Sequence, residues 1–183
     1  YDLMLEGQVQ EMHRVVAAYY ELDLLTSPIF ADLSHPLHVH EQLVNHYAAS
    51  GLPFESAVHA AAAAGHYAKI EEYLSALSLL QVAMNTISDS VDVLAIVIAA
   101  QWSVQAAGMS QAQGLRGDAQ SFATRALAKA DVGLRMLASH RAWSLFPCCS
   151  GGAKVVPDAE ELYAIASAAR EDARAILKKD AHS

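Results

Sequence analysis

The sequence predicts an all-α protein, a bundle or short stack of five to seven mostly antiparallel helices. Three observations carry this. Alanine occupies 36 of 183 positions, and alanine is the best helix former because it loses no side-chain entropy in a helix. Larger apolar residues recur at three- and four-residue spacing, the period of one helix face. Glycine and proline together number only 14, and most of them punctuate these periodic runs. The alternating Val/Ile/Thr runs and regular turns of a β-sandwich are missing. With 17% charged residues and a mean hydropathy of +0.19, the composition also excludes a disordered or collagen-like chain. The length suits one domain with its own core, drawn here over 1–183.

The elements follow in order. Leu5, Val9, Met12, Val16, Tyr19 and Leu22 form one face of a helix over 3–25, ended by Thr26-Ser27-Pro28. Residues 27–36 read as a loop, and a second helix runs from about Leu37 to Ala49. Ser50-Gly51-Leu52-Pro53 is a strong break, with glycine as the C-cap and proline opening the next helix, about 54–64. Gly65 is expected to separate that alanine-rich helix from a long one over 66–87. Ile70, Tyr73, Leu74, Leu77, Leu80, Met84 and Ile87 make its stripe, with Leu77 central and facing the core. Ser88-Asp89-Ser90 supplies a stop and an N-cap. The helix over 91–109 is apolar nearly all round and belongs at the centre of the core. A polar hinge over 108–117 leads to a helix over 118–139, with Ala123, Leu127, Ala130, Leu134 and Leu137 inward. The irregular stretch 144–157 precedes a last helix from Pro157 to about Lys179, with Leu162, Ile165, Ala169, Ala173 and Ile176 inward. Six helices result.

Net charge is −8, so attraction to nucleic acid or anionic lipid is disfavoured and no nucleic-acid partner is expected. Residues 1–100 carry twelve Asp/Glu against Arg14 and Lys69, whereas 101–183 carry ten Lys/Arg against eight Asp/Glu. Seven of the nine histidines fall within the first 66 residues. Free imidazole titrates near pH 6.5. Mild acid is therefore expected to charge up to seven histidines there and to alter association. Adjacent Cys148 and Cys149 do not make a disulfide framework, and the chain is expected in the cytoplasm or another reducing compartment. The apolar stretch from Val93 to Ala107 includes Gln101, Ser103 and Gln105, and is read as too short and polar to span a membrane.

Two constellations bear on chemistry. His35, His38, His40 and His46 lie within twelve residues, with His59 and His66 following. Imidazole binds zinc, copper and nickel, so the four are the candidate ligands of a transition metal such as zinc. No His-Glu-x-x-His or Glu-x-x-His occurs, so a carboxylate-bridged di-iron bundle lacks its ligand motif. Glu55 and His59 share a helix face at four-residue spacing. The second constellation is Arg135 and His140. Their Arg-x-x-x-x-His spacing resembles the signature of HEPN ribonucleases, also helical bundles, and the resemblance implies a cleft in which both residues cleave RNA. No Gly-x-Ser-x-Gly elbow, Walker loop or dinucleotide fingerprint is present.

A longer resemblance runs over 54–83. The segment Gly65-His66-Tyr67-Ala68-Lys69-Ile70-Glu71-Glu72-Tyr73-Leu74 resembles the second helix of a tetratricopeptide repeat, with Gly65, Tyr67, Ile70 and Leu74 at its glycine, aromatic and packing positions. It is also similar to the microtubule-interacting-and-transport hairpin. A second glycine-led start at Gly117 comes 52 residues on, not 34, so a regular array is not indicated. The resemblance implies a helical stack whose groove binds a peptide.

The function expected from these readings is non-catalytic: an interaction or scaffold module that binds a partner helix or peptide, or self-associates, without a cofactor. The alternatives are a small-molecule or metal-binding bundle using 35–66, and a HEPN-like ribonuclease.

Overall fold

The computed structural model describes residues 5–26, 34–139 and 159–181. Among them every regular element is helical and none is a strand. The helices are α1 (Glu6–Thr26), α2 (Ser34–Ala49), α3 (Pro53–Lys69), α4 (Tyr73–Thr86), α5 (Val93–Ala112), α6 (Arg116–Ala138) and α7 (Ala159–Ala181). By its contacts the chain divides into two compact units, Tyr1–Ile87 and Ser88–Ser183, where the sequence reading drew one domain over 1–183. Each unit is described by itself.

In the first unit each helix packs on its neighbour in sequence: α1 on α2, α2 on α3, α3 on α4. The turns between them are set by how the helices end. After α2, Gly51 adopts φ 72°. Its N–H donates to the Ala48 carbonyl at 3.2 Å, and the Leu52 N–H donates to the Tyr47 carbonyl at 3.0 Å. This pair of bonds satisfies carbonyls that the helix end leaves open. Pro53 then opens α3 where no intrahelical N–H is needed.

The expected break at Gly65 is not there. Gly65 lies inside α3, which continues to Lys69. The stop comes at Glu71, whose φ is 63°. Its N–H donates to the Ala68 carbonyl at 3.1 Å, and the Glu72 N–H to the Tyr67 carbonyl at 3.0 Å. It is the same cap as at Gly51, built on a residue that carries a Cβ. The long helix expected over 66–87 is therefore cut in two, and the helical phase restarts at Tyr73. The stripe turns with it. Ile70 and Leu74 are 47% and 67% exposed, while Leu80 is fully buried and Leu77 only half-buried. The buried face of α4 is Ala76, Leu80, Ala83 and Met84. α3 contributes Ala57, Ala60, Ala63 and Ala64, so the two helices approach through small side chains.

α1 is also turned relative to expectation. Leu5, Tyr19 and Leu22 are exposed, and the packed face centres on Ala17. It meets Val39, Leu43 and Tyr47, with Tyr20 and Leu24 alongside.

The second unit is a three-helix bundle, since α5, α6 and α7 all contact one another. Its α5 begins at Asp92 rather than at the serines expected to cap it. The Asp92 carboxylate accepts the Leu94 N–H at 3.0 Å, while Ser90 Oγ accepts the Asp92 N–H at 3.2 Å. The hinge expected over 108–117 shrinks to three residues, 113–115. There Gly114 (φ 73°) closes α5 with the Gly51 pattern. As expected, α5 is the core helix of its unit. By length and composition it could cross a membrane, contrary to the sequence reading, and 61% of its most apolar window is buried inside the protein.

Val93 and Val97 pack with Leu134, Leu137 and Leu162. One layer on, Ala100, Ala130 and Ala169 meet, one from each helix. α7 buries Leu162, Ala166, Ala169 and Ala173. Its acidic first turn (Glu160, Glu161) and basic last turn (Lys178, Lys179) complement the helix dipole. The loop 144–157, Cys148, Cys149 and His140 lie outside the described residues.

Candidate functional site

The first unit gathers its histidines between helices. α1 supplies His13 and, two turns on, Glu21. α2 supplies His40 and His46. α3 supplies His59 and His66, seven residues apart and so on one face. Because α2 lies between α1 and α3 in contact order, its two histidines find partners on different sides.

His13 Nδ1 and His46 Nδ1 are 2.8 Å apart, and Tyr20 stacks on the His46 ring with centroids 5.7 Å apart. His40 Nδ1 and His59 Nδ1 are 3.0 Å apart. The His66 ring lies 5.5 Å from that of His40, and its Nδ1 is buried without a hydrogen-bond partner. On the far side of His59 the Tyr47 ring is parallel to it at 5.4 Å. The Tyr47 hydroxyl donates to Glu21 Oε1 at 2.5 Å, and the same oxygen is 3.6 Å from His59 Nε2. Beside this layer the Tyr67 hydroxyl donates to Glu41 Oε1 at 2.9 Å.

A hydrogen bond between two imidazole Nδ1 atoms needs one ring carrying the proton and one bare. The arrangement therefore favours neutral rings, and the electrostatics agree. Burial, and then the charges that His59 and His66 would carry, push the His40 pKa down to about 4. Burial and His13 lower His46. Burial and Lys69 lower His66. Burial, the hydrogen bond to Glu21, and the charges of Glu21 and Glu55 all raise Tyr47. The hydrogen bond to Glu41 leads the causes that raise Tyr67. The expectation of seven histidines charging in mild acid is thus corrected, because three of them resist protonation in the fold.

Of the alternative metal-ligand set His35, His38, His40 and His46, the described side chains are not brought together. His40 and His46 sit in separate pairs, His38 is exposed, and the side chain of His35 lies outside the described residues. Among the described residues no three His, Cys, Asp or Glu side chains are placed to hold a metal ion. Arg135 is exposed in the last turn of α6, and His140 lies outside the described residues. Sequence reasoning missed His13, Glu21 and Tyr47. The seven-residue spacing of His59 and His66 was a usable signal for half of the layer. The pairings across helices were not, since they depend on tertiary contact.

A second feature is an open cleft of about 440 Å³ lined by Glu41, Tyr67, Leu74, Ser75, Ser78 and Leu79. It exists because α3 stops at Glu71: the restart of α4 lifts Leu74 out of the core and brings it beside Tyr67. Glu71 and Glu72, a few residues before Leu74 in the chain, are exposed.

No family model, curated protein or solved structure matches the chain.

Proposed function

We propose that this chain is a non-catalytic helical interaction module, and that its first unit takes a basic peptide or helix with an apolar anchor. The observation that carries the reading is Leu74, 67% exposed on an open cleft with Tyr67 and Glu41. Leu74, Leu79 and Tyr67 beside the Glu41 carboxylate, in a cleft that also carries Ser75 and Ser78, suit a leucine-like anchor flanked by Lys or Arg. Glu41 lines the cleft, and the exposed Glu71 and Glu72 precede Leu74 closely in the chain. The wider balance supports it: residues 1–87 hold ten Asp/Glu against Arg14 and Lys69, which is the whole net charge of the chain. The cleft falls in the segment that resembles a tetratricopeptide hairpin, whose groove binds peptides.

The test is fluorescence polarisation with labelled peptides that alternate leucine anchors with lysine, and with the same peptides carrying glutamate for lysine. The lysine series should bind, weaken with salt, and lose about tenfold or more in affinity to Leu74→Asp. Equal binding of both series, or no effect of Leu74→Asp, would defeat the reading.

Self-association is a second reading, favoured by Val15 and Tyr19. They are 63% and 69% exposed on successive turns of α1. Sedimentation velocity of wild type and Tyr19→Glu tests it: a concentration-dependent mass that the variant abolishes is the expected result.

A further inference from the structure

We infer that the imidazole layer of the first unit is an acid-sensitive latch: proton uptake by the layer frees α1 and α3 from α2 while the second unit keeps its fold. The argument begins with proton counting. Each Nδ1–Nδ1 bond holds one hydrogen between two nitrogens. One added proton makes an imidazolium that still donates to its neutral partner. A second sets two N–H donors against each other at 3.0 Å for His40 and His59 and at 2.8 Å for His13 and His46.

The neighbours decide where the first proton goes. Glu21 from α1 stands 3.6 Å from His59 Nε2, so His59 has a counter-charge. From α2, Glu41 is engaged by Tyr67 of α3, and Tyr47 donates to Glu21. From α3, Glu55 bears on Tyr47 and Lys69 opposes charge on His66. At the start of α4, Glu72 bears on Tyr67. His40 is left between His59 and His66, with no carboxylate among the described residues bonded to it. Its protonation is opposed by burial and by those two neighbours, which hold its pKa at about 4. In the open chain the same ring titrates near 6.5, so acid draws the equilibrium toward opening. The second unit has no histidine among its described residues and so lacks this response.

Hydrogen exchange read by mass spectrometry on the full chain tests this, with rates corrected for the intrinsic effect of pH. Between about pH 7.5 and about pH 5, amide protection in α1–α3 should fall by about tenfold or more. Protection in α5–α7 should stay within about twofold. His40→Gln supplies a non-titrating amide that can either donate to or accept from the His59 ring, and should flatten the response of α1–α3. Equal loss in both units, no loss in α1–α3, or an undiminished loss in His40→Gln would overturn the latch. Should that variant not fold, NMR titration of the wild-type ring decides. His40 resonances that stay neutral to below about pH 5 support the latch, and titration near 6.5 overturns it.

Discussion

His40 on α2 and His59 on α3 meet with their Nδ1 atoms 3.0 Å apart, so a single hydrogen is shared across the helix contact. Two residues that sequence distance keeps nineteen positions apart thus fix each other's tautomer. This relationship gives the first unit a stability that depends on pH, with a definite sign. The folded state lowers the His40 pKa from 6.5 to about 4. Between those values the unfolded chain binds more protons. The contribution is therefore complete above about pH 6.5, declines as pH falls, and is lost below about 4. Urea unfolding followed by circular dichroism should show the first unit losing on the order of 1–3 kcal/mol between about pH 7 and about pH 4.5, after discounting for the partial exposure of the ring. A midpoint that is flat or rises toward acid contradicts this assignment.

Leu80, not Leu77, anchors α4. Leu80 is fully buried, and Leu77 is only half-buried. Leu80→Ala should cost about 2–5 kcal/mol, the usual range for opening a cavity in a tight core. Leu77→Ala should cost less, about 1–2 kcal/mol, because water and mobile neighbours can fill the space. Denaturant midpoints of the two variants decide the order, and the reverse order would mean that α4 faces the other way.

The fold class and most of the helices were legible in the sequence, because alanine content and apolar spacing are local signals. The inward face of α7 reads directly from Leu162, Ala169 and Ala173. The break at Glu71 did not, because a glutamate in the left-handed region carries no local signature, and Gly65 nearby suggested a stop that α3 does not need. That single displaced break turned the stripe of α4 and exposed Leu74, which is why the cleft was invisible beforehand. The histidines were conspicuous, but their grouping was read along the chain as His35 to His46. In the fold α2 distributes them to two sides, and His13, Glu21 and Tyr47 join from far away.

Glu71 holds φ 63°, where a Cβ crowds the following carbonyl at a cost of about 1–2 kcal/mol. Glu71→Gly relieves that crowding but loosens the unfolded chain, which takes back part of the gain. The expected net effect is a stabilisation of about 0.5–1 kcal/mol, seen as a higher urea midpoint at unchanged m-value. If the left-handed cap is correctly placed, Glu71→Pro should do the opposite, since the ring forbids that φ and deletes the N–H bonded to Ala68. Glu71→Gly without gain, or Glu71→Pro without loss, would show that α3 and α4 join differently.

At Gly133 α6 passes close to α5. A Cβ built on it would stand 2.8 Å from the Val97 Cγ2 methyl, with Ile96 Cγ2 at 3.8 Å. Val97 is fully buried, and as a β-branched helical residue it has essentially one rotamer, so it cannot swing aside. Two effects of Gly133→Ala then compete. Alanine gains up to about 1 kcal/mol of helix propensity over glycine. The added methyl costs about 1–3 kcal/mol by forcing the core apart. Overpacking should win, because the obstructing atom belongs to a rigid side chain wedged among Leu134, Leu137 and Leu162. A net loss of about 1–2 kcal/mol is expected. Val97→Ala alone should also destabilise, by leaving a cavity. Combined, the new methyl occupies the space that the valine vacates, so the double variant should be more stable than the sum of the singles by about 1 kcal/mol or more. Urea midpoints of the four proteins complete the cycle. Strict additivity would show that Gly133 and Val97 do not meet and that α5 and α6 are in another register.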